Sequence, residues 1–155
     1  SGGPSEARFT AESQRERGFR SVIAEHSLVE DPMLEVFGHF TMEGGEHGMD
    51  ALLGRPNPPT AVFAMSDEMA FGAIRSLRNH GLEPGRDVSI IGIDNHPMSS
   101  YMGLTTVSQP VTELGVKAGE LLLRQMQGPV APISADRLTE LPTELIVRTS
   151  TGPKA

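Results

Sequence analysis

The 155-residue sequence contains no cysteine, few basic residues and no long apolar run. Without cysteine, the chain can form no disulfide bond, no thiolate metal site and no thiol nucleophile. Its 13 lysine and arginine residues are outnumbered by 20 acidic residues, which gives a formal net charge of −7 and argues against a duplex-binding surface. No apolar run approaches the ~18 residues that cross a bilayer, and residues 1–9 lack a signal-peptide pattern. We therefore expect no membrane contact.

The motifs of common enzyme classes are also missing. The sequence has no Walker loop and no G-x-S-x-G motif. Asp94 and His96 are conceivable as an acid–base pair, but they lie two residues apart with no recognisable nucleophile beside them. No two histidines are four residues apart, as a shared helical metal site would require; they lie at positions 26, 39, 47, 80 and 96. We expect no catalysis, no metal ion and no cofactor.

Apolar residues recur at helical spacing in four segments, each preceded by a helix-start signal. The predicted helices begin after Thr10, Thr41, Ser66 or Asp67, and Pro110, the last running to about Gln127. The glycine pair at 44 and 45 weakens the second prediction, because glycine disfavours a helix interior.

Strands are predicted between these helices. Segments 60–65 and 88–93 are mostly apolar and show no alternation, as expected for strands covered on both faces. Segment 33–40 is predicted to be a short strand, 105–107 a brief one, 94–104 irregular, and the tail 138–151 extended with a proline break. Doubly buried strands alternating with helices predict an α/β fold with an open, mostly parallel sheet flanked by helices.

Open α/β sheets bind ligands beyond the carboxyl ends of their strands. The residues that follow the predicted strands supply an aromatic ring, a hydroxyl, a carboxylate and an amide; they are Phe40, Ser66, Asp67, Asp94 and Gln109. A carboxylate accepts hydroxyl protons, an amide both donates and accepts, and a ring packs on C–H groups. This set suits a small polyhydroxylated or heterocyclic ligand.

Each of these residues also has a structural alternative. Asp94 could cap the next turn, and Ser66 and Asp67 could cap a helix. Phe40 could belong to the core, and Gln109 could be a solvated residue before a proline. Only the convergence of all five on one edge of the sheet favours a ligand site.

Segments 59–95, 104–123 and 141–151 together resemble the effector-binding part of the LacI/GalR family of transcriptional regulators. Residues 10–23 look like the family's Arg-x-x-Gly-aromatic helix start, and residues 38–45 look like its aromatic-bearing turn. The resemblance covers nearly the whole chain, and several motifs in one order make it specific.

The resemblance implies a periplasmic-binding-protein-like fold, in which two α/β lobes close on a small effector such as a sugar or a purine. It implies that Arg15 grips the effector, although a surface arginine is the alternative, and that Asp94 binds hydroxyl groups. It also implies that Phe40 places its ring at the cleft and that Gln109 lies between the lobes. Ser66 stands where many members have asparagine, so the effector's identity stays open. Residues 99–107 lack the family's Pro-Pro-Leu, so the path to Gln109 is expected to be shifted.

The implied organisation is one effector-binding domain over residues 1–155. Residues 10–104 would form the C-terminal lobe, residues 105–130 would cross to the other lobe, and residues 131–155 would return. The family's helix-turn-helix, hinge and first lobe are absent from the sequence, so a strand beside segment 60–65 is expected to be missing. The implied function is that of a cytoplasmic, homodimeric bacterial repressor whose effector allosterically controls operator binding by the absent domain. The alternative is a periplasmic sugar-binding protein of an uptake system.

Overall fold

The computed structural model describes residues 11–28, 30–127 and 140–153. In these ranges, five α-helices and four β-strands form an open sheet of order β1-β2-β3-β4. The helices are α1 Ala11–Glu25, α2 Met42–Leu53, α3 Asp67–Asn79, α4 Met98–Met102 and α5 Val111–Gln127, and the strands are β1 Ala61–Phe63, β2 Ser89–Ile93, β3 Thr105–Ser108 and β4 Glu144–Ile146. Strands β1, β2 and β3 are parallel, whereas β4 runs antiparallel to β3. The predicted α/β class with a mostly parallel sheet is confirmed.

The core lies between the sheet and the pair of helices α2 and α3. Met49 of α2, Ile74 and Leu77 of α3, Ile90 of β2 and Leu104 before β3 are each at most 1% exposed. Full burial of one such side chain contributes about 1.5–3 kcal/mol. This core fixes the start of α3 beside the ends of the strands.

Helices α2 and α3 approach each other closely through glycines. A Cβ atom on Gly45 would lie 2.1 Å from the carbonyl oxygen of Met69, and one on Gly72 would lie 1.9 Å from that of Met42. The glycine that weakened the helix prediction is therefore what allows α2 to pack. As predicted, Thr41 starts this helix, its Oγ1 accepting a hydrogen bond from the amide N of residue 44 at 3.0 Å.

The predicted strand at 33–40 is wrong. Pro32–Leu34 forms one turn of 3₁₀ helix, capped by Asp31, and no described residue from 35 to 40 belongs to a strand. The alternation behind the prediction is real, since Val36 packs against the core while Phe37 is 84% exposed. A strand also needs a neighbour to exchange backbone hydrogen bonds with, and in the described part of the chain β1 pairs only with β2.

Segment 94–104, predicted to be irregular, contains the short helix α4, which ends at Gly103 with a φ of +67°. Helix α5 follows β3 as predicted, and its apolar stripe is exposed, Val111 at 65% and Leu122 at 60%. The predicted cap Thr10 lies outside the described residues, as does much of the segment between α5 and β4. Among the helices that the structure describes, none is long and apolar enough to span a bilayer.

Candidate functional site

The carboxyl ends of the three parallel strands meet at one edge of the sheet. Ladder pairs join Phe63 to Ile91 and Ile93 to Val107, so the residues that follow β1, β2 and β3 lie side by side. They include Asp94 and Gln109, each directly after its strand, and Met65, two residues after β1. Backbone hydrogen bonding continues one step past the ladder, where the amide N of Asp94 donates to the carbonyl oxygen of Val107 at 2.9 Å.

Arg15 of α1 reaches this edge from a distant part of the sequence. Its Nη1 donates to the carbonyl oxygen of Met65 at 2.6 Å, and its Nη2 lies 3.4 Å from Asp94 Oδ1. Gln109 Nε2 donates to the same Asp94 Oδ1 at 2.5 Å. Arg15 and Gln109 thus both contact Asp94, and we refer to these three residues as the edge cluster.

Helix α1 is directed to this edge by an aromatic contact. The rings of Phe19 and Phe63 of β1 stack with centroids 5.4 Å apart and planes 14° apart. Arg15 lies four residues before Phe19, and residues four apart share one face of a helix. The stacking that holds α1 against β1 therefore also points the guanidinium of Arg15 at the strand ends.

The turn after β2 has a strained backbone. Asp94 and Asn95 have φ values of +122° and +50°, and such conformations typically cost about 1–3 kcal/mol each in residues other than glycine. Side-chain contacts hold the turn: Arg148 Nη2 donates to Asn95 Oδ1 at 3.0 Å, and Asn95 Nδ2 donates to Ser108 Oγ at 3.3 Å. The amide N of Asn95 also donates to Thr106 Oγ1 at 3.2 Å.

The pKa of the Asp94 carboxyl is raised above its usual value of 3.8. Burial is the largest cause, and the nearby charges of Asp67 and Glu68 act in the same direction. The charge of Arg15 and the hydrogen bond from Gln109 lower the pKa, but they do not offset burial. The carboxylate is therefore short of donors, and a further hydrogen bond to it would stabilise its charged form.

Three of the six predicted site residues, Phe40, Ser66 and Asp67, take no part in the edge cluster. Ser66 is 6% exposed, and its Oγ accepts a hydrogen bond from the amide N of Met69 at 3.3 Å, so it caps α3. Phe40 is 39% exposed and has a φ of +55° just before the start of α2. In the described ranges, no hydrogen bond or ring contact joins Ser66 or Phe40 to Arg15, Asp94 or Gln109.

Sequence reasoning missed Arg148. Its Nη1 donates to the carbonyl oxygen of Leu104 at 2.6 Å, so it ties the end of the chain to the start of β3 as well as to Asn95. One signal was available, since Arg148 directly follows the apolar run Leu145, Ile146 and Val147. An arginine drawn into a sheet by such a run needs carbonyl or amide oxygens as partners.

Comparisons with known proteins agree with this fold. Residues 2–151 match the family described as periplasmic binding protein-like domain. The HTH-type transcriptional repressor CytR of Escherichia coli (strain K12) is 42% identical over 88% of this chain and 40% of its own length. The chain thus spans well under half of that relative.

Solved structures give the same relationship. A LacI family transcriptional regulator from Enterococcus faecium with bound ribose superimposes with a TM-score of 0.78 at 34% identity, covering 92% of this chain and 52% of that one. The lac repressor dimer bound to operator and the anti-inducer ONPF gives a TM-score of 0.79 at 26% identity, covering 92% and 49%. The resemblance found in the sequence is confirmed: the chain belongs to the family of periplasmic-binding-protein-like domains, and its relatives are LacI-type transcriptional regulators.

Proposed function

We propose that the chain is part of the effector-binding domain of a bacterial LacI-type repressor and that its effector binds at the edge cluster. The observation that carries this proposal is the unequal hydrogen bonding of the two oxygens of the Asp94 carboxylate. Its Oδ1 is held by Arg15 and Gln109, whereas its Oδ2 has no hydrogen-bond partner among the described residues. By favouring one lobe arrangement, the effector would change the operator affinity of a helix-turn-helix domain outside this sequence, in the cytoplasm.

The proposed ligand is a sugar or a nucleobase-like molecule carrying hydroxyl or amide groups. A hydroxyl that donates to Asp94 Oδ2 can accept a hydrogen bond from the guanidinium of Arg15, and Gln109 can serve a neighbouring polar group. Ribose is the first candidate because it is bound in the Enterococcus faecium regulator. Phe40 would pack its ring on the ligand, and Ser66 would contribute less because its hydroxyl already caps α3.

The lobe organisation is part of the same proposal. Residues 10–104 would form the C-terminal lobe, residues 105–130 would cross to a second lobe, and residues 131–155 would return. Two observations support it: β4 comes back to pair with β3 after α5, and the apolar side chains of α5 are exposed. A second lobe would cover that stripe and close the cleft over the edge cluster.

We also propose that the repressor is a homodimer joined at the face formed by α2, α3 and α4. An open groove of about 350 Å³ on this face has an apolar lining of Met42, Phe71, Met98 and Met102, and Arg75, Arg78 and Asn79 also line it. Exposure is 55% for Met42, 46% for Met98 and 84% for the neighbouring Tyr101. Contiguous exposed apolar surface of this kind marks protein–protein contacts, and the solved lac repressor is a dimer.

The rival interpretations have no comparable support. An uptake protein would share the fold, but the named relatives are transcriptional regulators. An acid–base pair of Asp94 and His96 would need the imidazole turned toward the carboxylate. Instead, His96 Nδ1 accepts a hydrogen bond from the amide N of Met98 at 3.1 Å, and the ring meets Phe71 edge-on.

Calorimetry on the full-length natural protein tests the site, with ribose first and then a panel of sugars, nucleosides and nucleobases. Arg15→Ala and Asp94→Ala are each expected to weaken effector binding about 10- to 150-fold, the loss of one charge-assisted hydrogen bond. Arg20→Ala is the matched control, because Arg20 lies on the same helix but pairs with Glu16 and Glu35. Wild-type affinity in both site variants, with folding intact, would refute the site.

The 155-residue chain by itself is expected to bind ribose or the identified effector weakly or not at all. It would supply the contacts of one lobe only, and the cost of immobilising the ligand would remain. Micromolar binding to the isolated chain, measured in the same calorimeter, would contradict the two-lobe proposal.

A further inference from the structure

Asp67 carries a buried carboxylate that the proposed effector site does not use. It is the first residue of α3 and is 1% exposed. Its Oδ2 accepts hydrogen bonds from the amide N of His96 at 2.8 Å and from Ser99 Oγ at 2.6 Å, and its Oδ1 accepts one from Thr106 Oγ1 at 2.6 Å. All three donors lie outside α3, on the segment after β2 and on β3.

The Asp67 carboxylate is closely packed against β2. A Cβ atom on Gly92 of β2 would lie 2.3 Å from Asp67 Oδ1, so the carboxylate rests directly on the backbone of the central strand. Because residue 92 has no side chain, an aspartate on α3 can reach across β2 to Thr106 on β3. Asp67 thereby joins α3, β2 and β3 at the edge of the sheet where the edge cluster lies.

The role of Asp67 differs from the helix cap expected for it. Ser66 supplies the side-chain cap, since its Oγ accepts from the amide N of Met69. Among the described residues, the carboxylate of Asp67 instead accepts only from groups 29 to 39 residues away along the chain. Ser66 thus caps the helix, whereas Asp67 attaches the segment after β2.

The segment held by Asp67 is the one that carries Asp94. Its first end is fixed to the sheet by the hydrogen bond from the amide N of Asp94 to Val107. Between this point and His96, the backbone passes through two positive φ values. A strained turn persists only when the surrounding structure over-determines it. Beyond the contacts of Asn95, the next hold on the chain is the hydrogen bond from the amide N of His96 to Asp67.

We propose that Asp67 is a positioning residue, which holds the segment from Asp94 to Met102 so that the Asp94 carboxylate stays at the strand ends. The same contact fixes Ser99 at the start of α4, and so the orientation of Tyr101 on the proposed dimer face. The importance of Asp67 for effector binding rests on the proposed function, whereas its positioning of the turn does not.

Amide hydrogen exchange of this chain, read residue by residue by NMR, tests the proposal without any effector. Ser99→Ala removes one donor and keeps the charge of Asp67, and Asp67→Asn weakens all three contacts. Both are expected to accelerate exchange of residues 95–102 about tenfold or more relative to the amides of β1 and α2. Ser66→Ala is the matched control, because it removes the adjacent cap and leaves the contacts of Asp67 in place.

A second readout follows the Asp94 carboxyl by ¹³C NMR during a pH titration. In Ser99→Ala its midpoint is expected to fall toward 3.8, because Asp94 loses burial while Arg15, Asp67 and Glu68 keep their charges. Exchange that rises equally throughout the chain, or an unchanged segment 95–102 with an unchanged midpoint, would overturn the proposal. If Asp67→Asn does not fold, Ser99→Ala decides alone. If exchange and the Asp94 titration change as expected but no sugar, nucleoside or nucleobase of the panel binds the full-length protein, the proposed effector site is refuted and the positioning role of Asp67 is not.

Discussion

Substitution of Gly72 by alanine is expected to separate helices α2 and α3. The added Cβ would lie 1.9 Å from the carbonyl oxygen of Met42 and 2.6 Å from the amide N of Glu46, both backbone atoms. Neither atom can rotate away as a side chain can. The two helices must therefore move apart by roughly 1 Å, and the close-packed contacts of Met49 and Ile74 between them must loosen.

The expected magnitude follows from two opposing effects. Alanine has a higher helix propensity than glycine by about 1 kcal/mol, which favours the variant. Overpacking of a well-packed interior typically costs about 1–3 kcal/mol, and a backbone-to-backbone clash belongs at the upper end of that range. The net expectation for Gly72→Ala is a loss of about 2 kcal/mol in the free energy of unfolding.

Gly18→Ala provides the matched control. Gly18 lies in α1, and a Cβ there would meet nothing within 4 Å. Only the propensity effect operates at this position, so the control is expected to gain about 0.5–1 kcal/mol. The same chemical change should therefore have opposite signs at the two sites.

Urea unfolding of the 155-residue chain, followed by far-ultraviolet circular dichroism, measures both effects. With typical denaturant slopes, a loss of about 2 kcal/mol lowers the midpoint by roughly 1 M for Gly72→Ala, and the control should raise it slightly. The comparison is valid if the slope is unchanged in both variants. A Gly72→Ala chain as stable as the Gly18→Ala chain would refute the close approach of α2 and α3.

Three further predictions concern the pH dependence of stability, helix capping and the dimer. Burial raises the pKa of Asp94 in the folded chain, so the protonated carboxyl favours the fold. This contribution to stability is fully present below pH 3.8 and is lost as pH rises through the folded-state pKa. The urea midpoint of Asp94→Asn should therefore increase relative to wild type as pH rises above 3.8, and a constant difference would contradict this. Ser66→Ala should lose about 1 kcal/mol in urea unfolding through the missing cap, as should Thr41→Ala on α2; unchanged midpoints would exclude capping by these hydroxyls. Tyr101→Glu should weaken dimerisation of the full-length protein at least about tenfold in sedimentation equilibrium, whereas Phe37→Glu, also 84% exposed but not among the residues that line the groove, should not. Equal effects of the two would argue against the proposed face.

Much of the fold could be predicted because its signals are local. Thr41 and Ser66 could be predicted as helix starts from hydroxyl side chains placed before apolar periodicity, and both accept the expected backbone hydrogen bonds. Strands β1 and β2 were visible as apolar runs without alternation. Parallel strands end at a common edge, which is why the contact between Asp94 and Gln109 follows from topology. The contact with Arg15 followed instead from the family resemblance.

The predictions failed where a residue's conformation depends on a distant partner. Val36 and Phe37 alternate as in a strand, but strand formation needs a neighbouring backbone, and none pairs with them in the described residues. Helix α4 was not predicted because it is held in part by Asp67, 32 residues before Ser99 in the sequence. No periodicity within residues 94–104 reveals that contact.

The groups at the sheet edge divide into those that hold the site and those that remain available to a ligand. Arg148 and Asp67 fix the turn, and Met65 and Gln109 fix the positions of Arg15 and Asp94 Oδ1. A ligand would therefore meet a carboxylate oxygen and a guanidinium that are already oriented, so that little of its binding energy would be spent on ordering side chains. The strain of two positive φ values is compatible with this, because it is offset by contacts that exist before the ligand arrives. It follows that substitutions of Arg148 or Asp67 should weaken binding through loss of preorganisation, even though neither side chain needs to touch the effector.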